Sequence, residues 1–102
     1  MNNDYTVDEL KWSPWINFDK PTISEIPESE GVYKMHASMK ILFIGSSYNL
    51  RKSLLESLSD SCLGKATRFS YATTQKSDKI QKFLLNEYSM KHSGKLPFCM
   101  ES

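Results

Sequence analysis

The sequence lacks any long hydrophobic run and has no obvious targeting segment. No apolar stretch among its 102 residues approaches the roughly 18 residues that a membrane-spanning helix requires. The first residues, MNNDYTVDEL, contain neither the basic region nor the apolar region of a signal peptide. We therefore expect a soluble, cytoplasmic protein without a membrane partner.

Cysteine is also scarce, and its placement excludes a common kind of metal site. Cys62 and Cys99 are the two cysteines, and neither has another Cys or a His at the spacing of metal ligands. A zinc site is therefore not expected. In a cytoplasmic protein the two are expected to be reduced structural thiols, with a disulfide between them left open as the alternative.

Composition and charge limit the domain count and the partners. A hydrophobic content of 39% in 102 residues supplies one modest core, so we predict a single main domain. Residues 1–30 hold seven acidic and two basic side chains, whereas residues 31–102 hold eleven basic and five acidic ones. The resulting +6 of the larger part is too mild to identify a nucleic-acid-binding protein, since an ordinary solvated face explains it equally well.

The N-terminal part combines prolines with tryptophans. Pro14 and Pro21 exclude a long helix there, whereas Trp12 and Trp15 are apolar enough to pack against a core. We predict that residues 1–25 form a segment packed on the main domain, which comprises residues 26–102.

Two short apolar runs predict a β-hairpin. Residues 31–36 and 40–44 are mostly β-branched, aromatic or long apolar types, and the break at residues 37–39 separates them. We expect an antiparallel pair whose second strand is central and buried.

The period of the apolar residues changes after the hairpin. Four leucines between positions 50 and 58 predict a helix over residues 48–59, with Ser46 or Ser47 as its N-cap. Alternation over residues 66–73 predicts a third strand, and a second helix is predicted to begin at Ser77 and to stop before Gly94. The predicted fold class is α+β, a three-stranded antiparallel sheet flanked by helices.

The order of motifs along the chain resembles a known nuclease family. Gly31-Val32-Tyr33 is followed after a short interval by Phe43-Ile44-Gly45 and then by Asn49-Leu50-Arg51. This arrangement is similar to the signature of the GIY-YIG nuclease superfamily, which includes the N-terminal nuclease domain of a bacterial excinuclease and several homing endonucleases. Leu84-Leu85 and Lys95-Leu96-Pro97 are similar to the last helix of the family and the segment after it. The resemblance covers about residues 26 to 100.

The resemblance implies four catalytic positions, and three of them are substituted. Family members hydrolyse phosphodiesters with two tyrosines, an arginine on the first helix and a glutamate that holds one divalent metal. Here Tyr33 keeps the first tyrosine, while Phe43, Ser53 and Gln81 occupy the positions of the second tyrosine, the arginine and the glutamate. The resemblance therefore predicts a degenerate domain that lacks nuclease activity. No cofactor is expected, and Mg²⁺ would be needed only if the domain were active.

The remaining features fit a weak nucleic-acid-binding or phosphate-binding role. A helix N-terminus offers free N–H groups to an anion, and basic side chains nearby would add to the attraction. The candidate residues are Ser46, Ser47, Arg51, Lys52 and Arg68. A plain helix cap explains the two serines equally well. His92, beside Lys91 near a helix end, is interpreted as complementing the helix dipole.

Two further hypotheses belong to other functional classes. The first is an active, metal-dependent DNA endonuclease in which neighbours such as Arg51 or Glu87 replace the lost groups. At about 100° per residue, Arg51 lies about 200° around its helix from Ser53, so simple replacement is disfavoured. The second is a small protein-interaction module that uses the acidic, tryptophan-containing N-terminal segment. The partner is thus DNA or another protein, and the oligomeric state stays open.

Overall fold

Four antiparallel strands form the sheet in the computed structural model, which describes residues 10–100. In chain order the strands are β1 (Ile16–Asn17), β2 (Gly31–Ala37), β3 (Lys40–Ser47) and β4 (Arg68–Thr73). The helices are α1 (Lys20–Ile23), α2 (Leu50–Ser57) and α3 (Ser77–Lys91), with short 3₁₀ turns at Leu63–Lys65 and Phe98–Met100. The predicted α+β class with an antiparallel sheet is confirmed.

Two details of the predicted sheet are wrong. The sheet has four strands rather than three, because β1 pairs with β4 through Ile16 and Asn17. A strand of two residues is too short to show an alternating pattern in the sequence. The strand order is β1-β4-β2-β3, so β2 is central and β3 lies at an edge. The apolar character of β3 has a different cause: α3 and the C-terminal 3₁₀ turn pack against it.

The predicted hairpin is confirmed, and its turn and register are unusual. Ser38 and Met39 connect the strands, and both have positive φ, as in a type I′ turn. Met35 pairs with Phe43 and His36 pairs with Ile41, so Leu42 is an additional residue in β3. This bulge brings Leu42 and Phe43 to the same core, although side chains normally alternate along a strand.

The sheet separates two apolar clusters. One cluster packs β2 and β4 against α1 and α2, and its buried members are Phe18, Ile23, Ile26, Tyr33, Met35, Leu42, Leu50, Leu54, Ala66 and Phe69. The other packs α3 against the opposite face, and its buried members are Val32, Ile44, Ala72, Ile80 and Leu84. The elements that carry candidate site residues therefore lie on two different faces of the sheet.

Residues of the N-terminal segment contribute to the first cluster. Phe18 and Ile23 are buried there, and the backbone N–H of Ser13 donates to the carbonyl of Tyr71 on β4. Residues 1–9 of the predicted segment lie outside the described residues. The division of the chain at residue 25 stays a prediction. None of the helices within residues 10–100 is long and apolar enough to cross a membrane.

Cys62 and Cys99 form a disulfide, so the expectation of two reduced thiols is wrong. Cys62 lies in the loop after α2, and Cys99 lies in the C-terminal 3₁₀ turn. Thirty-seven positions separate them in the sequence, and only the folded chain brings their Cα atoms to 5.8 Å.

Candidate functional site

Tyr33, which the resemblance to GIY-YIG nucleases matches to the first catalytic tyrosine, lies in a nearly closed aromatic site. Its ring centroid is 5.7 Å from that of Phe43, and Gly45 is its partner across the β2–β3 pair. Only 5% of Tyr33 is exposed. Burial raises the pKa of Tyr33 to about 12, the negative charge of Glu56 adds to the increase, and a hydrogen bond with Ser57 opposes it. Tyr33 is therefore a poor base at neutral pH.

Gly45 allows the two rings to approach. A Cβ atom at this position would lie 2.7 Å from Tyr33 Cζ and would overlap the ring of Phe43. The glycine of the Phe43-Ile44-Gly45 motif thus has a packing role, since Phe43 occupies the space beside it.

Ser53, at the family's arginine position, is bonded to another serine. Its Oγ lies 2.5 Å from Oγ of Ser47, and the backbone N–H of Asn49 also donates to Ser47 Oγ at 2.9 Å. The helix cap differs from the prediction: α2 begins at Leu50, and its N-cap is Asn49, whose side chain accepts from the N–H of Lys52. Ser47 instead stabilises the turn that precedes the cap.

Gln81, at the family's glutamate position, lies on α3 and therefore on the other face of the sheet. Its Oε1 accepts a hydrogen bond of 2.8 Å from Ser46 Oγ, and its Nε2 donates to the carbonyl of Ile44 at 3.1 Å. Both ends of the amide thus bind β3. A carboxylate could accept from Ser46 but could not donate to Ile44, so the glutamine fits this site in its own right.

The consecutive serines at the end of β3 connect the two faces. Ser46 is the partner of Val32 and Ser47 is the partner of Gly31 in the β2–β3 pair, and side chains of adjacent strand residues point to opposite faces. Ser47 accordingly reaches Ser53 on α2, whereas Ser46 reaches Gln81 on α3. Tyr33, Phe43 and Ser53 therefore lie on one face of the sheet, and Gln81 lies on the other.

The basic residues predicted to bind phosphate are not brought together. Arg51 donates from Nε to the carbonyl of Ile26 at 2.9 Å and from Nη1 to Glu28 at 3.0 Å, so it stabilises the preceding loop. Lys52 is exposed beside it. Arg68 pairs with His36, at the opposite end of the sheet from Ser46 and Ser47.

The side chains around Gln81 do not fit a divalent metal. The carboxylate of Asp78 contacts this group: Ser46 Oγ donates to Asp78 Oδ1 at 3.3 Å, and the Tyr48 hydroxyl lies 3.5 Å from Asp78 Oδ2. Within the described residues, no group of three or more His, Cys, Asp or Glu side chains could hold a metal ion. A neutral amide beside a single carboxylate is a weak donor set for Mg²⁺.

A family model matches most of the chain. Its description is Domain of unknown function (DUF7508), and the match covers residues 9–91. The chain belongs to this family. A comparison with curated proteins gives no match. The DUF7508 match includes every strand and helix up to the end of α3, together with Cys62, but it ends before Cys99 and the C-terminal 3₁₀ turn.

A second candidate group of side chains in this DUF7508 domain lies beside the turn of the β2–β3 hairpin. The turn of the hairpin, the end of α3 and the C-terminal residues enclose a groove of about 480 Å³, lined by Ser38, Met39, Lys40, Ile41, Tyr88, His92, Lys95, Leu96 and Phe98. We call it the basic groove. Tyr88 and His92 stand four positions apart, which is the spacing of neighbours on one face of a helix, so the sequence could have indicated this pair. Lys40 and Phe98 come from distant segments and gave no such signal.

Proposed function

We propose that this DUF7508 chain is a GIY-YIG-like domain without nuclease activity. The observation that carries the proposal is that the three substituted positions are committed to other protein groups. Ser53 is bonded to Ser47, Gln81 is bonded to β3 through both ends of its amide, and Phe43 packs against Tyr33. These contacts use the side chains for the stability of the fold and leave none of them for a phosphate or a metal.

The expected loss of rate supports the same proposal. Removing one preorganised electrostatic group from an active site costs about 10²- to 10³-fold in rate, and a lost metal ligand removes Lewis-acid assistance as well. Tyr33 does not compensate, because its hydroxyl is buried and its pKa is raised to about 12. Cleavage through such a site would require another cation in place of the arginine and the metal.

Phosphate binding beside Ser46 and Ser47, at the N-termini of α2 and α3, has less support than the loss of nuclease activity. The first turn of α2 is capped by Asn49, and the Glu30 carboxylate accepts from the N–H and the hydroxyl of Ser77 at the start of α3. An anion at either helix would meet an oxygen atom that already accepts from one of the N–H groups of the first turn. We therefore place no phosphate at Ser46 or Ser47.

A cleavage assay tests the proposed loss of activity. Purified protein, incubated with branched, nicked and linear DNA in Mg²⁺ or Mn²⁺, is expected to leave all substrates uncut. Tyr33→Phe is the matched control that identifies contamination. Cleavage by the wild type that is lost in Tyr33→Phe would show that the domain is an active endonuclease.

A restored site gives a second readout. Phe43→Tyr, Ser53→Arg and Gln81→Glu combined are expected to produce weak metal-dependent cleavage, whereas each single change is expected to produce none, because residues that act as a unit are not additive. Activity of the triple variant that disappears on Tyr33→Phe would support the assignment of all four positions. The wild-type result decides the proposal.

A further inference from the structure

The basic groove joins a second, smaller cavity along α3. The smaller cavity has a volume of about 150 Å³ and shares Ile41, Tyr88 and His92 with the groove. Together they form a continuous depression from the hairpin turn to the middle of α3. A depression of this size is within the range of sites that bind small molecules or single nucleotides.

Positive charge predominates along this depression. Lys40 and Lys95 line the groove, Lys34 and Lys91 line the smaller cavity, and Glu87 is the one carboxylate among the described residues that line either of them. Lys34 is partly buried, and its Nζ lies 4.5 Å from the ring centroid of Trp12. The complementary partner is therefore an anion that extends over several positive charges.

Aromatic rings are interleaved with the lysines. Tyr88 and His92 stack with centroids 3.8 Å apart and an angle of 9° between the rings, and the His92 side chain is exposed. A hydrogen bond of 2.8 Å between His92 Nδ1 and the carbonyl of Tyr88 fixes the imidazole ring. On the other wall, Phe98 is 51% exposed, and Lys40 Nζ lies 4.6 Å from its ring centroid.

The turn beside the groove exposes an apolar side chain in an uncommon backbone conformation. Met39 is 99% exposed and has a φ of 64°. Long side chains rarely adopt positive φ, and the Ser38-Met39 turn lacks the Asn-Gly pair that such turns favour. The turn holds Met39 at the rim of the groove, where it adds apolar contact area next to Phe98.

We propose that the basic groove binds single-stranded nucleic acid. Bases stack on the exposed faces of His92 and Phe98, and the lysines contact the phosphates between them. This combination of ring faces and neighbouring cations is the usual basis of sequence-independent single-strand binding. An acidic peptide would use the charges and leave the rings unused, and a duplex keeps its base faces covered. The inference does not depend on whether the domain retains nuclease activity. The groove lies beside the turn of the hairpin, and Ser46 and Ser47 lie at the other end of the sheet.

Fluorescence anisotropy with a labelled oligothymidine of about 12 nucleotides tests the proposal. For three phosphate contacts, the slope of log affinity against log salt is expected to be about −2, so that binding weakens about 20-fold between 50 and 200 mM salt. A duplex of equal length and polyglutamate are expected to bind more weakly than the single strand. Tighter binding of the duplex or of polyglutamate, or no binding of the oligothymidine at low salt, would overturn the proposal.

Matched variants locate the site. Lys40→Ala, Lys91→Ala and Lys95→Ala combined are expected to reduce the affinity at least 10-fold and to flatten the salt slope. The control is Lys20→Ala, Lys65→Ala and Lys82→Ala, which removes the same charge from exposed lysines that line neither cavity and is expected to change affinity less than 3-fold. Equal losses in the two variants would indicate a diffuse charge effect and refute the site.

A neutral substitution tests stacking separately from charge. Both His92→Ala and His92→Phe remove the imidazole, so the comparison between them isolates stacking: His92→Ala is expected to weaken binding about 5-fold or more, whereas His92→Phe is expected to preserve it. Equal affinity of wild type and His92→Ala would show that the ring does not bind a base. Circular dichroism that matches the wild type is the control for folding of both variants.

Discussion

The hydroxyl of Tyr33 makes the stability of this protein sensitive to alkaline pH. The folded state holds Tyr33 in a site where burial disfavours the phenolate, so its pKa rises to about 12, whereas an unfolded chain has an ordinary tyrosine pKa near 10. The unfolded state therefore releases this proton first as pH increases. The contribution of the protonated Tyr33 to the free energy of unfolding is fully present below about pH 10 and is lost as the pH rises towards the folded pKa.

We predict that the free energy of unfolding falls by about 1 kcal/mol per pH unit between about pH 10 and 12 through this one group. Urea unfolding at intervals from pH 10 to pH 12 measures the slope. Tyr33→Phe removes the titration and keeps the ring, so its slope is expected to be shallower by this amount. The same slope in both proteins would contradict the assignment of the alkaline loss to Tyr33.

Gly45 is expected to be intolerant of even one methyl group. In Gly45→Ala the added Cβ would contact Tyr33 and Phe43 at less than the normal van der Waals distance, which we expect to destabilise the fold by about 1–3 kcal/mol. Phe43→Leu replaces the ring closest to the added Cβ with a shorter side chain. The double variant should therefore lose less stability than the sum of the two single changes. Strict additivity of the free energies of unfolding would show that the two residues do not share this space.

At the scale of elements, the periodicity of apolar residues predicted most of the helices and strands. The hairpin, the leucine-rich helix and the third predicted strand are all present near their expected positions, because apolar periodicity reflects burial directly. The N-cap was misplaced by two or three residues, since Ser46, Ser47 and Asn49 are all good caps and only tertiary contacts select Asn49. Strand order was also inaccessible, because an edge strand covered by α3 and the C-terminal residues is as apolar as a central one.

The sequence located the candidate positions but not their partners. The hairpin pattern placed Tyr33 and Phe43 on paired strands, where their rings do approach each other. It gave no indication that Gln81 lies across the sheet from Ser53 or that Arg51 binds the loop at Glu28. The contacts of Arg51 with Glu28 and of Gln81 with Ser46 join residues 23 and 35 positions apart, and a single sequence does not indicate them without the fold.

Over the whole molecule, the chain is held together by two clusters on opposite faces of one sheet and by a covalent link. The Cys62–Cys99 disulfide attaches the C-terminal 3₁₀ turn to the loop after α2. The same turn carries Phe98, which forms one wall of the basic groove. Because the disulfide holds this turn in place, it also helps to fix the shape of the basic groove.

We predict that losing this disulfide lowers the free energy of unfolding by about 3–4 kcal/mol, because a link across 37 positions restricts the unfolded chain. Urea unfolding of a Cys62→Ser, Cys99→Ser variant, compared with the oxidised wild type, measures the loss. Reductant should destabilise the wild type by a similar amount and should leave the variant unchanged, which separates loss of the link from loss of the sulfur atoms. Thiol titration should detect no free thiol in the oxidised protein and two after reduction. Free thiols in the oxidised, folded protein, or a variant as stable as the wild type, would contradict a stabilising disulfide between the C-terminal turn and the loop after α2.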